Sequence, residues 1–124
     1  MGKHTMNPNC MNQPCPIETT LNIIGGKWKS IILFRLLGGK KRFSELQRIC
    51  KNVTQRTLTL QLRGLEKDGL IKRTIYAEVP PRVEYELTPL GFSMEPIIQS
   101  IYDWGVEYEA SHLNLSAPQP AVKQ

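Results

Sequence analysis

Three cysteines are the residues of this chain whose side chains could carry covalent chemistry. Cys15 stands directly before Pro16, where a helix would begin, and the free N–H groups and positive dipole of a helix N-terminus stabilise a thiolate. This position predicts a reactive thiol, against the alternative of a small buried hydrophobic residue. Cys50 ends an apolar stripe, so it is either a second redox thiol or a core residue. Cys10 lies in a polar leader and is predicted to be exposed.

Other catalytic chemistry has little support in the sequence. His4 and His112 lie in the flanks, away from any candidate nucleophile, and the sequence has no phosphate-binding loop or clustered carboxylate pair. Cys10 and Cys15 lack the C-x-x-C spacing of thiol oxidoreductases. A zinc site built from these two cysteines and His4 would lack standard ligand spacing. We therefore predict a protein that is not an enzyme and has neither a cofactor nor a metal.

The positive charge is concentrated in the middle of the chain. The chain has 16 Lys+Arg against 11 Asp+Glu, for a net charge of +5. Residues 40–88 carry 11 basic and 6 acidic groups, whereas residues 89–124 carry 1 basic and 4 acidic groups. DNA favours such a layout, because each Lys or Arg that neutralises a phosphate releases a condensed counterion.

Two short amphipathic helices must position these basic groups. Ser44 and Gln47 have the spacing of a capping box and predict the start of the first helix. A break at Lys51-Asn52 separates it from a second helix, which starts at Thr54 as N-cap and is closed by Gly69. The apolar stripe of the second helix recurs at helical spacing and is formed by Leu58, Leu62 and Leu65.

The second helix has the pattern of a recognition helix. Gln55 and Arg56 lie in its first turn, the part that reaches base edges in helix-turn-helix proteins. The polar face opposite the apolar stripe carries Arg56, Thr59, Arg63 and Lys67. Leu60 interrupts this polar face. It would either touch a thymine methyl group or pack under a neighbouring loop.

A β-hairpin follows the helix pair. Apolar and polar residues alternate in 71–76 and 83–87, and Pro80-Pro81 belong at the tip, because proline cannot donate a ladder hydrogen bond. Arg82 is predicted to project from this hairpin. The order helix, turn, helix, hairpin predicts a mainly α winged helix-turn-helix with a small β-hairpin wing, rather than an ordinary α+β core with a solvated charged face. The predicted DNA contacts are Ser44, Thr54, Gln55, Arg56, Thr57, Thr59, Arg63, Lys72, Arg73 and Arg82.

Further helices are predicted on both sides of this unit. One starts at Pro16 and ends at Gly25-Gly26. The next, Trp28–Leu37, is apolar on nearly all sides, which predicts a helix buried at the centre of the domain. A long last helix starts at Thr88-Pro89, and Pro96 should bend or split it. We expect a flexible leader over 1–14, one domain over 15–111 and a flexible tail over 112–124.

The last helix carries a long apolar stripe, which is either an intrachain core face or a dimer seam. We favour the dimer, because two DNA-binding domains whose recognition helices lie about 34 Å apart bind a palindromic operator better than one domain does. The predicted interface residues are Ile17, Leu21, Met94, Ile97, Ile98, Ile101, Trp104 and Tyr108.

No membrane attachment is expected. The sequence lacks a run of about 18 apolar residues and the apolar region of a signal peptide. The chain is therefore predicted to be cytoplasmic, where thiols are normally reduced.

The sequence also resembles a known family. The segments CPIETTLNIIGGKWKSIILFRLLGGKKRFSELQRI, TQRTLTLQLRGLEKDGLI and VPPRVEYELTPLG are similar to the HxlR-type bacterial regulators, winged-helix proteins related to the MarR group. The resemblance covers about residues 15–110. It implies a homodimeric transcription factor that dimerises through its N- and C-terminal helices and binds near-palindromic operators in double-stranded DNA. In some members it implies a response to small oxidants or electrophiles.

The resemblance also implies two roles for residues of this chain. It places the redox thiol at Cys15 and base recognition on the helix from Thr54 to Asp68. As the resolving thiol we favour Cys50 of the partner subunit, with Cys10 or a small thiol as alternatives. The competing functional hypothesis is a winged-helix module that senses a ligand or metal, or docks a protein, without reading bases.

Overall fold

The computed structural model describes residues 4–9, 11 and 14–113. Within this part of the chain, helices dominate and one small sheet is present. The elements in chain order are α1 Pro16–Ile24, α2 Trp28–Leu36, β1 Lys41–Arg42, α3 Phe43–Ile49, α4 Gln55–Lys67, β2 Ile71–Tyr76, β3 Arg82–Leu87, α5 Pro89–Phe92, α6 Glu95–Tyr108 and a π-helical segment Glu109–Leu113. Of the predicted flexible tail over 112–124, His112 and Leu113 belong to this π-helical segment, and residues 114–124 lie outside the described residues.

The α3–α4 pair forms the predicted helix-turn-helix. Thr54 caps α4, since its Oγ1 accepts a hydrogen bond from the Thr57 N–H at 3.0 Å. Asn52 turns the chain between the helices with φ +70°, in the left-handed region that asparagine tolerates. Gly69 follows the end of α4 with φ +82°. The break, the N-cap and the closing glycine are therefore confirmed.

The start of α3 differs from the prediction. The N-cap is Arg42, not Ser44, and the Arg42 N–H donates to Oε1 of Glu45 at 2.8 Å. Strand β1 explains the difference, because it pairs with β3 up to the register Arg42↔Glu84. The pairing holds the backbone extended until Arg42, so the helix begins at the next residue. Ser44 lies exposed in the first turn.

The wing is a three-stranded antiparallel sheet in the order β1-β3-β2. Strands β2 and β3 form the predicted hairpin, with Ile71 opposite Leu87 and Tyr76 opposite Arg82. Pro80 and Pro81 lie in the connection, where no ladder donor is needed. Strand β1 was not predicted, because two residues are too short to show an alternating pattern.

The hydrophobic core lies between α2, α3, α4 and the inner face of the sheet. Its fully buried side chains are Ile32, Leu33, Leu36, Leu46, Cys50, Leu58, Leu62 and Leu65. Helix α2 was predicted to be buried on nearly all sides, but Phe34 and Arg35 are exposed. Only one face of α2 packs against the core.

The predicted last helix is split in two. Thr88 caps α5, because its Oγ1 accepts from the Gly91 N–H at 3.0 Å. A Cβ at Gly91 would collide with the Leu70 carbonyl oxygen, so α5 approaches the start of β2 this closely only with glycine. Pro96 lies in the first turn of α6, where a missing N–H costs nothing. The last helix is therefore interrupted, as predicted, but the break lies at Ser93-Met94 and not at Pro96.

Candidate DNA-binding surface

Helix α4 presents a polar face away from the core. Leu58, Leu62 and Leu65 anchor it, and side chains on the opposite side reach solvent. The exposed predicted contacts on α4 are Gln55, Arg56 and Arg63. Long donors on an anchored helix can reach base edges without disturbing the core.

The threonine side chains of α4 are less exposed to solvent than its arginine side chains. Thr57 and Thr59 are half-buried. The Thr54 hydroxyl accepts from the Thr57 N–H and lies 3.0 Å from the Thr57 hydroxyl. These two hydroxyls therefore fix the first turn of α4, which holds Gln55 and Arg56 in place.

The wing brings further basic groups beside α4. Lys72 is exposed on β2. Arg73 Nε lies 3.5 Å from Oε1 of Glu66 on α4. This ion pair links β2 to α4, so the orientation of the wing is tied to that of the helix.

Arg82 does not project from the wing as predicted. Its guanidinium stacks over the Tyr76 ring at 4.1 Å, and its side chain is 28% exposed. Nη1 lies 3.1 Å from Oε2 of Glu78, and Nε lies 3.3 Å from Oε2 of Glu84. The Nε contact is an ion pair by distance and not a directed hydrogen bond to any described residue. The strand register causes this arrangement, because it places Tyr76 opposite Arg82.

A groove of about 410 Å³ separates the start of α3 from the wing loop. Arg42 and Ser44 lie on one wall, and the segment 78–83 forms the other. Val79 at the loop tip is fully exposed. Ser44 and Arg42 thus bring a hydroxyl and a guanidinium to the same groove, and both groups bind phosphate oxygens in protein–DNA complexes.

The two described cysteines have different surroundings. Cys15 is the N-cap of α1, as predicted, and is half-buried. Its N–H donates to Oε1 of Glu18 at 3.3 Å, so a carboxylate shares this helix end with the thiol. Cys50 is 2% exposed, and burial raises the pKa of its thiol, an effect that Arg35 partly offsets. Cys10 lies outside the described residues.

Cys50 is thus a core residue in this state of the chain. The sequence left this alternative open beside the redox role. Any reaction of Cys50 requires the region around the end of α3 to open.

Among the residues that the structure describes, no cluster of His, Cys, Asp and Glu could hold a metal ion.

The predicted dimer residues divide into two groups. Ile98 is 4% exposed and belongs to the chain's own core, with Met94 packed beside it, so these two are not free interface residues. The others leave two exposed apolar faces, one on α1 and one on α6. The α1 face is Ile17 and Leu21, and the α6 face is Ile97, Ile101, Trp104 and Tyr108.

Aromatic stacking orders the end of the α6 face. The Trp104 and Tyr108 rings lie 5.2 Å apart, and Tyr108 stacks on His112 at 4.5 Å.

No helix among the described residues has the length and apolar character that crossing a membrane requires.

Sequence reasoning missed two residues of this surface. Arg42 was assigned no role, although the acid three residues after it, Glu45, is a capping signal that points to it. Tyr76 was treated as an ordinary strand residue. The sequence holds no local signal for its stacking on Arg82, because the strand register brings the two together.

A helix-turn-helix whose second helix presents a basic face, followed by a β wing, defines a winged helix-turn-helix DNA-binding domain. The HxlR-like helix-turn-helix family model matches residues 23–113. The chain belongs to this family.

Similar proteins agree with this assignment. The HTH-type transcriptional regulator YdeP of Bacillus subtilis is 53% identical over 107 residues, which are 86% of this chain and 84% of YdeP. The redox regulator HypR in its reduced form is 51% identical, with TM-score 0.74 over 81% of this chain and 98% of HypR. Its oxidised form is 54% identical, with TM-score 0.72 over 75% of this chain and 96% of HypR. This chain is a helix-turn-helix transcriptional regulator and not an enzyme.

Proposed function

We propose that this chain binds specific operator sequences by inserting α4 into the major groove, with the wing beside it. The observation that carries the proposal is the exposed first turn of α4, where Gln55 and Arg56 stand on a helix anchored to the core. Arg63 extends the same face, and Lys72 adds charge from the wing. Such binding to chromosomal operators would require a cytoplasmic protein, which is part of this proposal.

The proposed operator is near-palindromic, because we propose that the protein is a homodimer. The exposed faces of α1 and α6 support this assembly. Trp104 is 69% exposed, an unusual state for so large an apolar side chain. A second copy that covers these faces would hold two α4 helices for adjacent half-sites about 34 Å apart.

Operator titration tests the DNA-binding proposal. An operator is selected from random duplexes, and binding is measured at several salt concentrations. Arg56→Ala should cost roughly 1 to 3 kcal/mol and relax specificity at one position of each half-site. Arg35→Ala is a matched control, since it removes the same charge from the exposed face of α2. Equal effects of both variants, or none from Arg56→Ala, would contradict base contact.

We further propose that Cys15 makes the regulator responsive to oxidants. HypR is a redox regulator solved in both oxidation states, and it shares about half of its residues with this chain. A two-electron oxidant such as hypochlorite or a peroxide would convert the Cys15 thiolate to a sulfenic acid. Attack by the partner's Cys50 would then form the S–S bond and release water.

The location of Cys50 gives this step a structural consequence. Cys50 ends α3 and directly precedes the turn into α4. Because its thiol is buried, a bond to Cys15 of the partner subunit would require α3 to shift. Such a shift would move α4. It would change operator affinity, because the spacing of the two α4 helices in the dimer determines how well they fit a palindromic operator.

Non-reducing gels after hypochlorite or diamide treatment test the redox proposal. A covalent dimer should form in the wild type and disappear in Cys15→Ser and in Cys50→Ser. Persistence in Cys50→Ser with loss in Cys10→Ser would identify Cys10 as the partner and remove the link to α4. Persistence in Cys15→Ser would exclude Cys15 as the sensor.

One groove bears on the alternative of a ligand-sensing module. It lies between α2 and α6, measures about 250 Å³ and is lined by Phe34, Leu37, Ile98, Gln99 and Tyr102. This volume is below the roughly 300 to 1,000 Å³ of small-molecule sites. The groove between the start of α3 and the wing loop, at about 410 Å³, is within that range, so volume alone does not decide the alternative. A ligand-sensing or docking module without base readout would form no specific DNA complex at physiological salt, which the same operator titrations detect.

A further inference from the structure

Leu60 is exposed on the face of α4 that points away from the core. Its side chain is 55% exposed, so it does not pack under a neighbouring loop. At 3.6 residues per turn, Leu60 lies roughly 200° around the helix from Leu58, which is fully buried. The alternative of loop packing, which the sequence left open, is excluded.

Two neighbours of Leu60 on this face of α4 are basic. Arg56 lies four residues before it and Arg63 three residues after it, and both are exposed on the same side of the helix. Single exposed leucines are common on protein surfaces, so exposure alone assigns no role. The location is what matters, because Leu60 lies at the centre of the face that the proposed function places in the major groove.

A leucine in the major groove has one apolar partner. Base edges there present hydrogen-bond donors and acceptors, except for the 5-methyl group of thymine. A leucine that covers a polar edge instead would leave that donor or acceptor without a partner, which costs free energy. An aliphatic side chain between two arginines therefore selects the methyl group.

We propose that Leu60 is a specificity-determining residue that contacts the 5-methyl group of one thymine in each half-site. This inference rests on the proposed function, because it requires α4 to lie in the major groove. It adds to that function a preference that Arg56 and Arg63 cannot supply, since arginines bind guanine or phosphate and not a methyl group.

Replacement of thymine by deoxyuridine tests the contact directly. The substitution deletes the methyl group and keeps every hydrogen-bonding group of the base. Each thymine of one half-site in the selected operator is replaced singly, and affinity is measured for each duplex. For the wild type, one position should weaken binding about fourfold, the factor expected for one buried methyl group.

Variants of Leu60 decide whether this residue makes the contact. Leu60→Ala should be insensitive to deoxyuridine at that position and behave as the wild type elsewhere. Leu60→Met should retain the sensitivity, because it keeps a long apolar side chain. Leu90→Ala is the matched control, since Leu90 is also 55% exposed but lies on α5, and it should keep the full wild-type response. Circular dichroism confirms that each variant is folded.

The outcomes separate the inference from the proposed function. Specific operator binding with no position sensitive to deoxyuridine would overturn the role of Leu60 and leave the DNA-binding proposal standing. Unchanged sensitivity in Leu60→Ala would also overturn it, because another residue would then contact the methyl group. Failure to select any specific operator would overturn both.

Discussion

Arg56 and Arg82 were predicted as DNA contacts on different grounds, and the structure separates them. Helical periodicity places Arg56 opposite a buried leucine stripe, and it is exposed as that pattern requires. The surroundings of Arg82 depend on Tyr76 across the sheet and on two carboxylates. Residue positions within one helix were therefore predictable, whereas contacts fixed by strand register were not.

The ion pairs of Arg82 suggest that DNA must compete for this side chain. Glu78→Gln removes one carboxylate, and Glu84 and Tyr76 still hold the wing together. We expect tighter binding to all DNA sequences and a salt dependence steeper by up to about one counterion, because Nη1 of Arg82 loses its carboxylate partner and can pair with a phosphate. Stability should change by less than about 1 kcal/mol, as for other exposed ion pairs.

Titrations of one duplex at several salt concentrations measure this effect. Glu109→Gln makes the same charge change in the π-helical segment and serves as the control. An equal gain in both variants would mean that net charge alone is responsible, and the competition at Arg82 would be refuted.

At the scale of elements, local chemistry predicted most helix boundaries. Thr54, Gly69 and Thr88 mark ends that depend on residues within one turn, and all three are where the sequence indicated. The start of α3 was predicted two residues too late, because a strand formed with distant β3 sets it. For α2 the composition indicated an apolar helix but not which face would be covered.

We expect the N-cap Thr54 to affect both the stability of the chain and its affinity for the operator. Thr54→Ala should lower the free energy of unfolding by about 1 kcal/mol, since the Thr57 N–H loses its partner. Operator affinity should also fall, because fraying of the first turn loosens Gln55 and Arg56. Thr54→Ser keeps the accepting oxygen and should preserve both quantities. Urea denaturation and operator titration measure them, and a wild-type affinity for Thr54→Ala would show that the first turn is not used.

For the whole molecule, the sequence predicted an uneven charge distribution but could not resolve its longest apolar stripe. Basic residues concentrate on α4 and the wing, and the segment from residue 89 onward is net acidic. An intrachain core face and a dimer seam have the same helical periodicity. The structure places Ile98 in the chain's own core, beside α2, and leaves Trp104 exposed.

Because Ile98 is buried and Trp104 is exposed, we expect substitution of the first to lower stability and substitution of the second to change the oligomeric state. Trp104→Glu places a charge where the isolated chain meets solvent, so the chain should stay folded but sediment as a monomer, whereas the wild type should sediment as a dimer at micromolar concentration. Its operator affinity should fall at least tenfold, since the second half-site no longer binds at a high effective concentration. Ile98→Ala should instead lower stability by about 2 to 5 kcal/mol, as a cavity in the core does. A folded wild-type monomer at this concentration, or a Trp104→Glu dimer with wild-type affinity, would exclude the α6 face as the seam.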